Sequence, residues 1–141
     1  MLHRNMNIQV NMRKSLIIAV MALVSGSAYA SEDLYLLTGK KLHEAVSGKT
    51  IYVQTAIGAE IPIRYRPNGT MVGVSSTRLA ALAGESVNTD RGRWWVSRAE
   101  LCQQWSKWSN GRAYCYKLRV AGQSVQWTRN DGKSGTARLG S

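Results

Sequence analysis

After residue 48 the apolar positions recur mostly with a period of two, the spacing of strands that bury one face. The cleanest run is Tyr114-Cys115-Tyr116-Lys117-Leu118-Arg119-Val120. It sends Tyr114, Tyr116, Leu118 and Val120 to one side and Cys115, Lys117 and Arg119 to the other. Gly122-Gln123 suits a two-residue turn with glycine at its first central position. That turn sets Leu118 opposite Trp127 and Val120 opposite Val125, so the two apolar faces coincide. Further strands are predicted over Thr50–Thr55, Ile61–Arg66, Met71–Val74, Arg93–Ser97, Leu101–Trp105, Arg112–Val120, Ser124–Arg129 and Thr136–Leu139. Pro67-Asn68-Gly69-Thr70 marks a hairpin, because Asn-Gly tolerates the positive φ of a tight turn. Residues 38–48 break the pattern: Leu42, Ala45 and Val46 form a helical stripe, Thr38 can cap it and Gly48 can stop it. Residues 75–90 fit a helical turn or a loop. The fold expected is mainly β, a small antiparallel meander curled into a barrel or half-barrel, with one short N-terminal helix.

The amino-terminal segment has a different logic. Arg13 and Lys14 precede the apolar run Leu16 to Val24, and Ala28-Tyr29-Ala30 follows. A basic start, a short apolar stretch and an A-x-A site describe a secretory signal peptide over residues 1–30, cut between Ala30 and Ser31. The run falls far short of the roughly 20 apolar residues that span a bilayer. A start at Met12 would give a more compact signal. Residues 31–141 are then a single β-rich domain in the periplasm or secreted, with no stable membrane span.

Compartment decides the cysteines. An exported chain with two Cys, Cys102 and Cys115, is expected to bridge them, and closing so short a loop contributes about 3 kcal/mol. A metal site lacks ligands, since His43 is the only histidine of residues 31–141. The bridge sets Leu101 opposite Tyr116, Gln103 opposite Tyr114 and Trp105 opposite Arg112, leaving 106–111 as the loop. A two-residue turn at Asn110-Gly111 would separate the sulfurs too far to bond, so the bridge takes precedence.

The charge is lopsided. The chain carries 19 Lys and Arg against 8 Asp and Glu. Residues 31–90 are neutral, and the excess lies in residues 91–141, where ten basic side chains face only Glu100 and Asp131. Such a half-molecule points to an anionic macromolecule or envelope surface as partner. Lys117 and Arg119 project from one strand, and Arg93, Trp108 and Arg112 are expected beside them. Together these five residues form a candidate anion-binding patch in which Trp108 stands partly exposed in its loop. Catalytic signals are missing. His43 has no nucleophile and orienting carboxylate spaced for a triad, and the carboxylates are scattered singly. Phosphate-loop, nucleotide and metal motifs do not occur, so neither enzyme nor cofactor is expected. Two function classes follow: a non-enzymatic binder of an anionic envelope or extracellular partner, or a lipocalin-like carrier of a small apolar ligand.

Several short motifs recur together: Leu37-Thr38-Gly39, Gly48-Lys49-Thr50, and Tyr65 before Asn68-Gly69-Thr70. They continue with Gly92-Arg93-Trp94-Trp95-Val96, Leu101-Cys102-Gln103-Gln104-Trp105, Cys115-Tyr116, and Trp127 through Asp131-Gly132. In these the chain resembles a family of small exported bacterial proteins, of Gram-negative type and unknown function, with a GxWWV…LCxxW…CY pattern. The resemblance implies a compact β domain outside the cytoplasm with a cysteine pair, and carries over no site residue.

Overall fold

The computed structural model of the protein describes residues 33–141. The signal-peptide reading of 1–30 and the Ala30/Ser31 cleavage lie outside the described residues. Strands β2 (Thr50–Gln54), β3 (Glu60–Tyr65), β4 (Thr70–Val74), β5 (Thr89–Ser97), β6 (Glu100–Trp105), β7 (Ala113–Ala121), β8 (Ser124–Arg129) and β9 (Ser134–Leu139) pair antiparallel in chain order. Strand β9 then returns to β2, with Ile51 opposite Leu139 and Val53 opposite Ala137. The meander therefore closes into an eight-stranded up-and-down barrel. Closure removes the free sheet edges that would otherwise template aggregation. Strand β1 (Tyr35–Leu36) lies along β7 beyond the end of β6, with Tyr35 opposite Val120.

The period-two pattern becomes the barrel wall. Ile51, Ile63, Met71, Leu101, Leu118, Val125 and Ala137 are buried inside, while Arg64, Arg91, Lys117, Gln126 and Arg138 alternate with them on the outside. Helix α1 (Gly39–Val46) closes one end and buries Leu42 and Val46 completely. Burial of two such side chains contributes about 1.5–3 kcal/mol each. Gly48 N–H donates to the Tyr65 carbonyl and Gly39 N–H to that of Arg98, fastening the helix to the β3–β4 and β5–β6 turns. Thr38 occupies the cap position with extended backbone, but its hydroxyl makes no capping bond. Among the described residues no helix is long and apolar enough to cross a membrane.

Three hairpins share one solution. In Thr55–Ala59, Arg66–Thr70 and Arg129–Lys133 the fourth residue is a glycine with positive φ (80°, 85° and 92°) that donates to the carbonyl of the first. Asn68 itself stays at negative φ. Its Oδ1 instead accepts from the Thr70 N–H at 3.0 Å and from its hydroxyl at 2.7 Å. Gly122, with φ of 55°, makes the tight β7–β8 turn and yields the register in which Leu118 faces Trp127.

The Cys102–Cys115 disulfide is present, and Leu101 faces Tyr116 across it. Asn110-Gly111 is not a two-residue turn. It belongs to a longer connection in which Ser109, Asn110 and Gly111 all take positive φ. Residues 75–88 hold a second helix, α2 (Thr77–Leu82), capped by the Ser76 hydroxyl accepting from Leu79 N–H at 3.1 Å. Residue alternation gives no signal for α2, because four of its six residues are exposed and only its Ala80 is buried.

Candidate functional site: the barrel interior

Helix α1 plugs the end formed by the β3–β4, β5–β6 and β7–β8 turns, so the other end is free to be a mouth. There the β2–β3, β4–β5, β6–β7 and β8–β9 connections surround an internal cavity of about 420 Å³. Its walls are aliphatic and aromatic: Ile51, Val53, Ile61, Ile63, Leu118, Val125 and Ala137, with Trp105, Trp108 and Trp127. Cavities of this size and character hold small molecules rather than a few waters.

The mouth is built around tryptophan and glycine. Gly73 of β4 points inward against the Trp105 and Trp108 rings, and a Cβ there would lie 2.7 Å from Trp105 Cη2. The two rings stack tilted, with centroids 4.7 Å apart. On the far wall Gly135 of β9 faces Trp127, whose ring covers the space a side chain would fill. Glycine inside a strand here marks close approach rather than a bend.

Asp90, at the start of β5, holds the mouth in shape. Its buried carboxylate accepts from Lys107 N–H at 2.7 Å, Trp108 N–H at 2.8 Å and Arg91 N–H at 2.8 Å. Glu85 accepts from Ser109 N–H at 2.9 Å, and the Trp108 indole donates to the Val87 carbonyl at 2.8 Å. These bonds sustain the left-handed Ser109 and Asn110, which residues other than glycine seldom adopt.

One side of the cavity is polar. The Tyr65 hydroxyl, fully enclosed, donates to Gln103 Oε1 at 2.8 Å. Gln103, Tyr116 and Arg129 line the cavity on the same side. Burial pushes both phenols above the ordinary tyrosine range, against the opposing effect of Arg129 and Gln103 at Tyr116. Arg129 lies in a two-bond fork with Asp131 of the β8–β9 turn, Nε to Oδ1 at 2.8 Å and Nη2 to Oδ2 at 2.6 Å. The fork raises the Arg129 pKa and lowers that of Asp131 to about 2, so both stay charged at neutral pH. The guanidinium also covers the Tyr114 ring at 4.0 Å. Among the described residues no group of three or more His, Cys, Asp or Glu converges on a metal position.

Compared with family models, curated proteins and solved structures, the chain finds no match. The site therefore speaks through its geometry.

The expected surface patch is divided. Lys117 and Arg119 are exposed on the outer face of β7, opposite Thr128 and Gln126 of β8. Arg93 is exposed on the outer face of β5 and donates through Nη2 to Gln104 Oε1 at 2.9 Å. Gln104 Nε2 in turn donates to the Gly111 carbonyl at 2.9 Å, which brings Arg93 beside the turn leading into exposed Arg112. Trp108 does not join them. It is only 8% exposed and faces the cavity, because Asp90 draws its N–H inward. On the outer face of β5 the large aromatic is Trp95, 38% exposed, opposite Cys102.

Charge and motif patterns do not single out Arg129 and Gln103 as site residues, but strand parity does. Arg129 has the strand parity of inward Val125 and Trp127, and Gln103 that of Leu101 and Trp105. A charged or amide side chain on a buried strand face is the kind of exception that marks a site.

Proposed function

We propose that this protein is a non-enzymatic carrier, acting outside the cytoplasm, that encloses a small and largely apolar molecule in its barrel. The observation that supports this reading is the 420 Å³ cavity, apolar on most of its wall and polar at one pole. A disulfide and the absence, among the described residues, of a membrane-crossing helix suit an extracytoplasmic setting. The resemblance to small exported β domains agrees with that setting. An anionic envelope or extracellular partner on the outer face has less support, because Trp108 is turned inward and the cations are spread over β5, β7 and the β6–β7 connection.

Ionic strength separates the two readings. A neutral apolar dye such as N-phenylnaphthylamine is expected to bind and fluoresce equally in about 20 mM and about 500 mM salt, since burial of apolar surface is not screened. Dye uptake that fails at both concentrations, with heparin bound steeply salt-dependently, would replace the carrier with the surface binder.

A further inference from the structure

Apolar side chains stand in water around the mouth. Ile57, at the tip of the β2–β3 turn, is 62% exposed, and Leu82 of α2 is 66% exposed. Val74, the last residue of β4, is 48% exposed at the same end. Singly such residues are ordinary, but these three stand on neighbouring connections, because β3 pairs with β4. Ala56 and Gly58 flank Ile57, and Ala81 and Ala83 flank Leu82, all of them exposed, so no polar side chain interrupts either tip. Ala83 also lines the cavity, which makes the apolar rim continuous with the interior wall.

Charge completes the rim. Arg78 of α2, Lys107 and Arg112 of the β6–β7 connection and Lys133 of the β8–β9 turn are all exposed at this end. None of the four belongs to an ion pair among the described residues. The carboxylates nearby are already engaged: Asp90 and Glu85 on backbone N–H groups, Asp131 on Arg129 and Glu60 on Arg138. The open end therefore presents apolar tips over β2–β5 and unpaired cations chiefly over β6–β9. A bilayer with anionic head groups complements both at once, since its phosphates take the cations and its acyl boundary takes the tips. An acidic polymer would match the charge and leave Ile57 and Leu82 in water. We infer that the mouth docks on an anionic lipid bilayer, with Ile57 and Leu82 at the acyl boundary and Lys107, Arg112 and Lys133 on phosphates. In that pose the cavity opens onto hydrocarbon and its passenger enters without crossing water, a use of the contact that rests on the carrier reading above.

Sedimentation with lipid vesicles tests it. In about 50 mM salt the protein is expected to bind phosphatidylcholine vesicles containing about 30% phosphatidylglycerol, and to bind pure phosphatidylcholine about tenfold more weakly. Raising the salt to about 500 mM should weaken binding to the anionic vesicles by about tenfold. Ile57→Ser together with Leu82→Ser should cost about tenfold in vesicle affinity, and Lys107→Gln together with Lys133→Gln about as much. Neither pair lines the cavity, so both variants should take up the apolar dye in vesicle-free solution as the unaltered protein does. Lys117→Gln with Arg119→Gln, on the outer face of β7, should leave vesicle binding almost unchanged. Full binding by the Ile57 and Leu82 variant, or equal binding to neutral and anionic vesicles, would overturn the docking. So would loss of binding in the Lys117 and Arg119 variant alone. Dye uptake without vesicle binding would overturn the docking and leave the carrier reading standing. Vesicle binding without dye uptake would overturn the carrier reading and leave the docking.

Discussion

Replacing Gly73 with leucine is expected to destroy the binding cavity and to destabilise the barrel together. The glycine lies where β4 meets the Trp105 and Trp108 rings, and even a Cβ would be 2.7 Å from Trp105 Cη2. Both indoles are buried and closely packed, so neither can yield without disturbing its neighbours. The Trp108 indole would also leave the Val87 carbonyl it now bonds at 2.8 Å. Overpacking of this kind costs about 1–3 kcal/mol, and more where a hydrogen bond is lost with it. Urea unfolding should show a lower midpoint with little change in slope, and binding of the apolar dye should disappear under conditions where the variant is still folded. Full stability and full dye binding in Gly73→Leu would mean that the tryptophan pair does not form the mouth.

Asp90→Ala is expected to have the larger effect on stability, about 3–5 kcal/mol, because three backbone N–H groups lose a charged acceptor at once. Those donors belong to Arg91, Lys107 and Trp108, and the last is buried. The left-handed Ser109 and Asn110 would lose the anchor just before them and keep the Glu85 contact at Ser109 N–H and the Arg112 N–H bond to the Ser109 carbonyl. Two measurements read this separately. The urea midpoint reports the total loss. A shift of tryptophan emission to longer wavelength reports release of Trp108 to water before global unfolding. Asp90→Asn is expected to fall between, since an amide supplies one acceptor oxygen and turns two donors toward N–H groups.

The parts of this molecule that were legible in the sequence are those where one physical rule acts alone. Along β7 and β8 the alternation of buried and exposed positions is uninterrupted, the turn is two residues long, and pairing follows directly. The cysteines added a second constraint, which overruled the turn signal of Asn110-Gly111. Where rules compete, the sequence says less. Trp108 sits between lysine and serine in a connection, so local composition places it in water. What turns it inward is a carboxylate 18 positions earlier in the chain, and nothing in the local pattern carries that bond. Net charge is a similarly indirect guide to position. The excess of cations points to the outer face of β7, whereas the cation that lines the cavity, Arg129, is neutralised by a neighbour two residues away. Gly73 falls within a predicted strand and Gly135 just before one, but their partners, tryptophans on other strands, emerge only once the barrel is closed.

The central claim is that the binding site is the inside of the barrel, and methyl resonances test it most directly. Ile51, Ile61, Ile63, Leu118, Val125 and Ala137 all line the cavity, and Val74 and Leu82 are exposed outside it. Titration of methyl octanoate into protein labelled at its methyl groups should shift the first set and show contacts from ligand protons to Val125 and Ala137, with Val74 and Leu82 unmoved. Shifts confined to Val74, Leu82 and the backbone around Lys117 and Arg119, with the interior methyls unchanged, would contradict it.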